Sequence, residues 1–188
     1  MARIPALGYA LLGLIQHKPA SGYDLRKIFS STSMKFYSDS PGAIYPALGR
    51  LAEQRLVRAT IEESMGLRRR RVFHLTARGA SELKKWIMQP ITPDHLTRGC
   101  DQIMLRFAFS ENAAGRTASL GLLKSFEVAL KAHVASLRNE YQASHTFMPT
   151  SARLAFESGL ESTKHLLQWI EYAIAVYEKP ARKKGRVS

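Results

Sequence analysis

Between residues 56 and 76 the spacing of apolar side chains changes from the three-to-four step of a helix to alternation, and no other feature restricts the fold as much. RATIEE (58–63) and RRRRVFHL (68–75) alternate on either side of MGL (65–67), the pattern of a two-stranded hairpin closed by a turn. Three helical segments precede it. PALGYALLGLIQ (5–16) carries proline at its entrance, where a missing donor is harmless. SGYDLRKIFSS (21–31) opens on Ser21 as N-cap with Asp24 three residues later, a capping-box pattern, and turns Leu25, Ile28 and Phe29 inward. MKFYSDS (34–40) is a polar connection to the third helix. After the hairpin, TARGASELKKWIMQ (76–89) starts at a capping Thr76 and faces Leu83, Trp86 and Ile87 inward. Helix–helix–helix–hairpin in so short a span is the order of a winged helix-turn-helix.

The third helix contains a conflict. In SPGAIYPALGRL (40–51), Ile44, Leu48 and Leu51 lie four and three apart on one face, yet Pro46 interrupts them. A proline in a helix interior costs about 3 kcal/mol. The conflict eases if the helix starts at about Gly42 or Ala43, with Ser40 and Pro41 just outside, because Pro46 then falls in or beside the first turn. The outer face becomes Ala43, Pro46, Ala47 and Arg50, with Gly42 at the tip and Tyr45 on the flank. Small residues allow close approach to a surface, and the helix N-terminus offers donors to phosphate. Such a helix suits a DNA groove.

Charge points the same way. The net charge of +13 is uneven: residues 1–89 hold 15 Lys/Arg against 6 Asp/Glu, whereas residues 90–178 hold 8 against 9. The tail KPARKKGRVS adds five more cations and no acid, and reads as a flexible segment with a minor part in nonspecific DNA affinity. A basic excess confined to one module is the footprint of a polyanion. Arg68, Arg69, Arg70 and Arg71 stand where the second strand begins, at the tip of the expected wing, within reach of a DNA backbone or narrow minor groove.

Domain boundaries follow from composition: a DNA-binding domain over 1–90, a proline-bearing linker over 91–99, a helical dimerisation domain over 100–178 and the basic tail over 179–188. The fold class is mostly α, an α+β winged helix followed by coiled-coil-like helices. CDQIMLRFAFS is a short apolar helix, and 111–144 a long one with Leu123, Phe126, Leu130, Val134, Leu137 and Tyr141 on a stripe. In 151–178, Phe156, Leu160, Thr163, Leu167, Ile170, Ile174 and Tyr177 step by 4 and 3 in turn, a heptad seam. An intrachain hairpin explains such a seam; a second copy would bury more of a thin core, so Phe156, Leu160, Leu167, Ile170, Ile174 and Tyr177 are read as a dimer interface.

Chemistry is absent from the pattern. The six histidines form no metal-ligand set, no phosphate loop or nucleophile elbow is present, and Glu161 with His165 reads as a surface pair. No enzyme, metal or cofactor is expected. The lone Cys100 excludes an internal disulfide and reads as an inert thiol. The apolar start lacks the flanks of a signal peptide, no segment approaches a membrane span, and a cytoplasmic location is expected.

SGYDLRKIF, SPGAIYPALGRLAEQRLV and RRRRVFHLTARG, in this order and spacing, resemble the PadR-like transcriptional regulators over residues 5 to about 88. The resemblance implies a homodimer whose third helices enter successive major grooves of double-stranded DNA while the wings grip the backbone. Carried onto this chain it implies Ser40, Gly42, Ala43, Tyr45, Pro46 and Arg50 at the groove and Arg68, Arg69 and Arg70 on the wing. Two departures stand out. Arg55 replaces the family's glycine after the third helix, which puts the cap in question, and GLRRRR replaces the usual wing turn. Tyr23 is read as a core or domain-interface residue.

The function expected is that of a sequence-specific repressor on a pseudo-palindromic promoter site, with activation as the alternative. A small aromatic or lipophilic effector is a candidate partner. Phe107, Phe109, Phe126, Phe156 and Trp169 motivate a rival reading as a ligand-sensing module, and the helical arms a third, as an adaptor for another coiled coil.

Overall fold

A computed structural model describes residues 4–32, 34, 37, 40–63, 69–97 and 100–179. Arg68, the turn at 65–67 and the tail beyond Lys179 lie outside the described residues. The chain forms two compact units, one of Met1–Gln89 with Ala108–Gly115, the other of Pro90–Phe107 with Arg116–Ser188.

The first unit runs α1 (Ala6–His17), β1 (Ala20–Ser21), α2 (Gly22–Ser31), α3 (Pro41–Glu53), β2 (Val57–Glu63), β3 (Arg69–Leu75) and α4 (Ala77–Ile87). The hairpin pairs Val57 with Leu75 through to Glu63 with Arg69, and β1 adds to the free edge of β3, giving the antiparallel order β1-β3-β2. Strand β1 has no counterpart in the sequence pattern, since two residues carry no period. Leu11, Leu12, Ile15, Leu25, Phe29, Ile44, Leu48, Leu83 and Ile87 are fully buried between the helices and the sheet. Tyr9 stacks flat on Trp86 at 4.3 Å. At Gly13 a Cβ would fall 2.4 Å from the ring of Phe109, so glycine lets that ring lie directly on α1.

The end of α3 answers the question Arg55 raised. Arg55 takes the left-handed conformation, with φ of 59°, that the family's glycine would adopt freely. The Arg55 N–H donates to the Ala52 carbonyl and the Leu56 N–H to the Leu51 carbonyl, both at 2.9 Å, which is a Schellman ending with Leu51 and Leu56 buried beside each other's turn. The cap is kept despite the substitution.

In the second unit α5 (Pro93–Thr97) leads to α6 (Asp101–Ala114), whose last turns belong to the first unit, then α7 (Arg116–Ser144), a 3-10 turn at His145–Phe147, and α8 (Thr150–Glu178). The stretch read as a linker thus holds α5, and its Leu96 is buried among Ile103, Leu123, Phe126, Leu130, Ile170 and Ile174. The helix read over 111–144 is interrupted at Gly115, where φ of 87° breaks it from α6. Helices α7 and α8 pack antiparallel, ending where Arg116 donates to the carbonyls of Tyr177 (2.8 Å) and Lys179 (3.0 Å).

This hairpin uses the heptad seam. Leu160, Ile170 and Ile174 are buried within the single chain, and Phe156, Leu167 and Tyr177 are half-buried there. The periodicity is real, and within the single chain the helix that packs along it is α7.

Because an L-residue in the left-handed region costs about 1–2 kcal/mol and glycine only part of that, Arg55→Gly is expected to stabilise the first unit by about 0.5–1 kcal/mol in urea denaturation.

Candidate nucleic-acid interface

Helix α3 begins earlier than its composition suggested. Pro41 occupies the first turn, and the Ser40 carbonyl accepts the N–H groups of Ala43 (3.0 Å) and Ile44 (3.1 Å). Pro46 therefore lies inside the helix rather than in its first turn, and it supplies no N–H to the Gly42 carbonyl. The outward residues are Gly42, Tyr45, Pro46 and Arg50, with Ser40 exposed at the cap and Ala43 half-covered. Ala47, expected outside, is 2% exposed and belongs to the docked face with Ile44, Leu48 and Leu51. Its methyl is small enough to pack where the helix meets the core.

Along β3, alternation sends Arg69, Arg71 and Phe73 to one face and Arg70, Val72 and His74 to the other. All three arginines are exposed, but two are engaged. Arg71 lies over the Phe73 ring at 5.3 Å. The Arg70 guanidinium donates to the Asp24 carboxylate at 2.6 Å and to the Ser21 hydroxyl at 3.2 Å.

Those two partners form the cap of α2. The Ser21 side chain accepts the Asp24 N–H, and the Asp24 carboxylate accepts the Ser21 N–H, both at 3.2 Å. Partial burial works to raise the Asp24 pKa, but hydrogen bonds from the Ser21 side chain and backbone, together with the Arg70 charge, bring it below its ordinary 3.8.

Gly22 explains how α2 and α3 meet. A Cβ there would stand 2.5 Å from Tyr45, so the missing side chain is the space the tyrosine ring occupies. Ser21–Asp24, Tyr45 and Arg69–Arg71 together surround a hollow of about 520 Å³. The flank of α3 and the start of β3 therefore share one concave, cationic surface. Sequence reasoning missed its continuation along α2. Tyr23 is 59% exposed rather than buried, and Arg26 lies over its ring at 5.6 Å, beside Lys27 and Ser30. The signal was present, since these residues repeat on the face opposite Leu25 and Phe29. Among the described residues no cluster of His, Cys, Asp or Glu could hold a metal, and no helix is long and apolar enough to cross a membrane.

Residues 11–85 match the model of the Transcriptional regulator PadR-like family. The chain is 27% identical to the Negative transcriptional regulator PadR of Bacillus subtilis, over 92% of this chain and 98% of that relative. It is 26% identical to a probable transcriptional regulator of Mycobacterium tuberculosis, over 93% and 99%. Among solved structures, Bacillus subtilis PadR in complex with operator DNA aligns at 25% identity over 93% of this chain and 100% of that one, with a TM-score of 0.44.

A carboxyl whose pKa is depressed by folding adds stability above its unfolded value and loses it as pH falls through the folded one. Asp24→Asn is therefore expected to cost the first unit about 0.5 kcal/mol near neutral pH, the worth of a half-exposed ion pair. That gap should close in urea titrations carried below pH 3.8.

Proposed function

We propose that this chain, whose residues 11–85 match the PadR-like family of transcriptional regulators, is a DNA-binding repressor that works as a homodimer on a pseudo-palindromic promoter site. The observation that carries the reading is the exposed face of α3, with Gly42, Tyr45, Pro46 and Arg50, bordering the cationic start of β3. Gly42, Ala43 and Pro46 present little bulk, which suits close approach to base edges in a major groove. Ser40, Tyr45 and Arg50 surround them with hydrogen-bonding groups for phosphate and bases. Arg68, Arg69 and Arg70 supply the wing with charge. Repression is supported by the relative named as a negative regulator, which is similar over nearly its whole length. Occupying a promoter suffices for that outcome.

A dimer supplies what one copy lacks, namely two recognition helices about 34–36 Å apart on successive turns of DNA. The surface for it is the outer face of α8. Trp169, Tyr172 and Val176 are exposed there at helical spacing, with Leu154 on the same side. Release by an effector is supported by a hollow of about 330 Å³ in the second unit. Leu96, Leu137, Phe156 and Leu160 give it an apolar lining, and His133 and Thr163 add hydrogen-bonding groups. That is the size and mixture suited to a small aromatic or lipophilic molecule.

Gel-shift or anisotropy against the chain's own upstream region tests the DNA contacts. Arg50→Ala and Arg69→Ala are each expected to weaken binding and to flatten the log–log salt dependence by about 0.9, the loss of one phosphate contact. Unchanged affinity in both would refute the proposed interface. For the dimer, Tyr172→Asp is expected to give monomers in light scattering while the chain stays folded. A folded dimer in that variant would move the interface elsewhere.

A further inference from the structure

The first turn of α2, beside the wing strand, carries a carboxylate where a DNA-binding surface has least use for one. Asp24 stands in the hollow bordered by Tyr45 and Arg69–Arg71, and its negative charge opposes any phosphate brought there. Its bonds account for its presence. One oxygen, Oδ2, takes the Ser21 hydroxyl at 2.7 Å, the Ser21 N–H at 3.2 Å and the Arg70 guanidinium at 2.6 Å. Ser21 is also the last residue of β1, paired with Val72 of β3, two positions from Arg70. The ion pair thus closes the ladder between β1 and β3 at its open end and ties the wing strand to the first turn of α2.

We propose that Asp24 is a positioning residue for DNA recognition: it holds Arg70 as a strut between the wing and α2, keeping that guanidinium off phosphate and leaving Arg69 as the contact on this strand. The inference rests on the DNA-binding reading above and alters the role of one residue within it. Two consequences follow from the geometry. Arg70 is 43% exposed and its side chain borders the hollow, so once released it can reach a phosphate that approaches Tyr45 and Arg69. Binding to phosphate in this way conveys no sequence information, since it neutralises backbone charge only. The carboxylate therefore lowers nonspecific affinity and fixes the angle at which the wing leaves the helix pair. Selectivity improves by the first effect, because competing sites are mostly nonspecific.

Anisotropy titrations with a short duplex from the upstream region and a scrambled duplex of equal composition, over a range of salt, test the strut. Asp24→Asn keeps an oxygen to accept the Ser21 N–H while removing the charge. It is expected to bind the scrambled duplex several-fold more tightly and to steepen the salt dependence by about 0.9. Arg70→Gln should leave the slope at the wild-type value. In the double variant, Asp24→Asn with Arg70→Gln, the tighter binding should vanish, and Asp24→Glu should restore wild-type behaviour. The proposal is overturned if Arg70→Gln alone flattens the slope by about 0.9, because Arg70 would then already be on phosphate. It is equally overturned if the tighter binding survives in the double variant, which would make Asp24 a repulsive charge and nothing more. Should Asp24→Asn fail to fold, the slope of Arg70→Gln alone decides. Arg50→Ala separates this from the wider reading: no effect there removes the groove assignment, while the scrambled-duplex slopes still judge the strut.

Discussion

The geometry of the first unit depends on one carbonyl, that of Leu56. It lies in the residue that ends the Schellman turn after α3, and it is followed at once by β2. The Thr76 N–H donates to it at 3.1 Å and the Thr76 hydroxyl lies 3.0 Å away, while a Cβ on Gly79 would fall 2.0 Å from the same oxygen. The end of α3, the base of the hairpin and the start of α4 are thereby fastened at one point. Thr76 then caps α4 through the Gly79 N–H at 2.9 Å. This is why threonine and glycine stand three apart after the basic strand: the first supplies the hydroxyl, the second the absence of a side chain. Tilting α3 relative to the hairpin would break this junction.

Pro46 makes sense within that frame. A proline well inside α3 leaves the Gly42 carbonyl without its usual donor, and its ring presses on that same residue. Gly42 is exposed, so water or a DNA donor can satisfy the carbonyl, and a glycine yields to the ring most easily. The helix retains its inner face through Ile44, Ala47, Leu48 and Leu51, which are all buried. Burial of this face outweighs a local defect of a few kcal/mol. The interrupted turn is the one the proposed groove would receive, where small, poorly hydrogen-bonded backbone is an advantage.

What could be read in advance was whatever repeats or caps. Leu25 and Phe29, Leu83 and Ile87, the alternation of β2 and β3, and the caps at Ser21 and Thr76 all follow from local chemistry. Residues whose role depends on a distant neighbour were not legible. Gly22 reads as a helix opener, but its function is the ring of Tyr45. Arg70 reads as one cation in four, but its partner is 46 residues away. Strand β1 and helix α5 are too short to carry a period, and Gly115 looked like any glycine in a polar stretch until its φ placed it at a break. Helix α3 starts at Pro41, ahead of the expected Gly42 or Ala43, because a proline needs no donor in a first turn. Its docked face carries Pro46 in the interior.

Helix α8 shows the same limit of periodicity, and also what supports the proposed second copy. A heptad seam announces that a stripe is covered, not by which chain. Here α7 covers it. But at about 100° per residue Trp169, Tyr172 and Val176 form another stripe, centred on the far side of the helix from Ile170 and Ile174. A helix apolar on two such faces can pack against two partners. One partner is α7. Association through the other face would make folding of this unit depend on protein concentration, since binding to the native state alone stabilises it. The same linkage would carry effector control. A molecule seated beside Phe156 and Thr163 would touch α8 on the N-terminal side of Trp169 and Val176. On the proposed reading it would act through how the helix presents that outer stripe to a second copy.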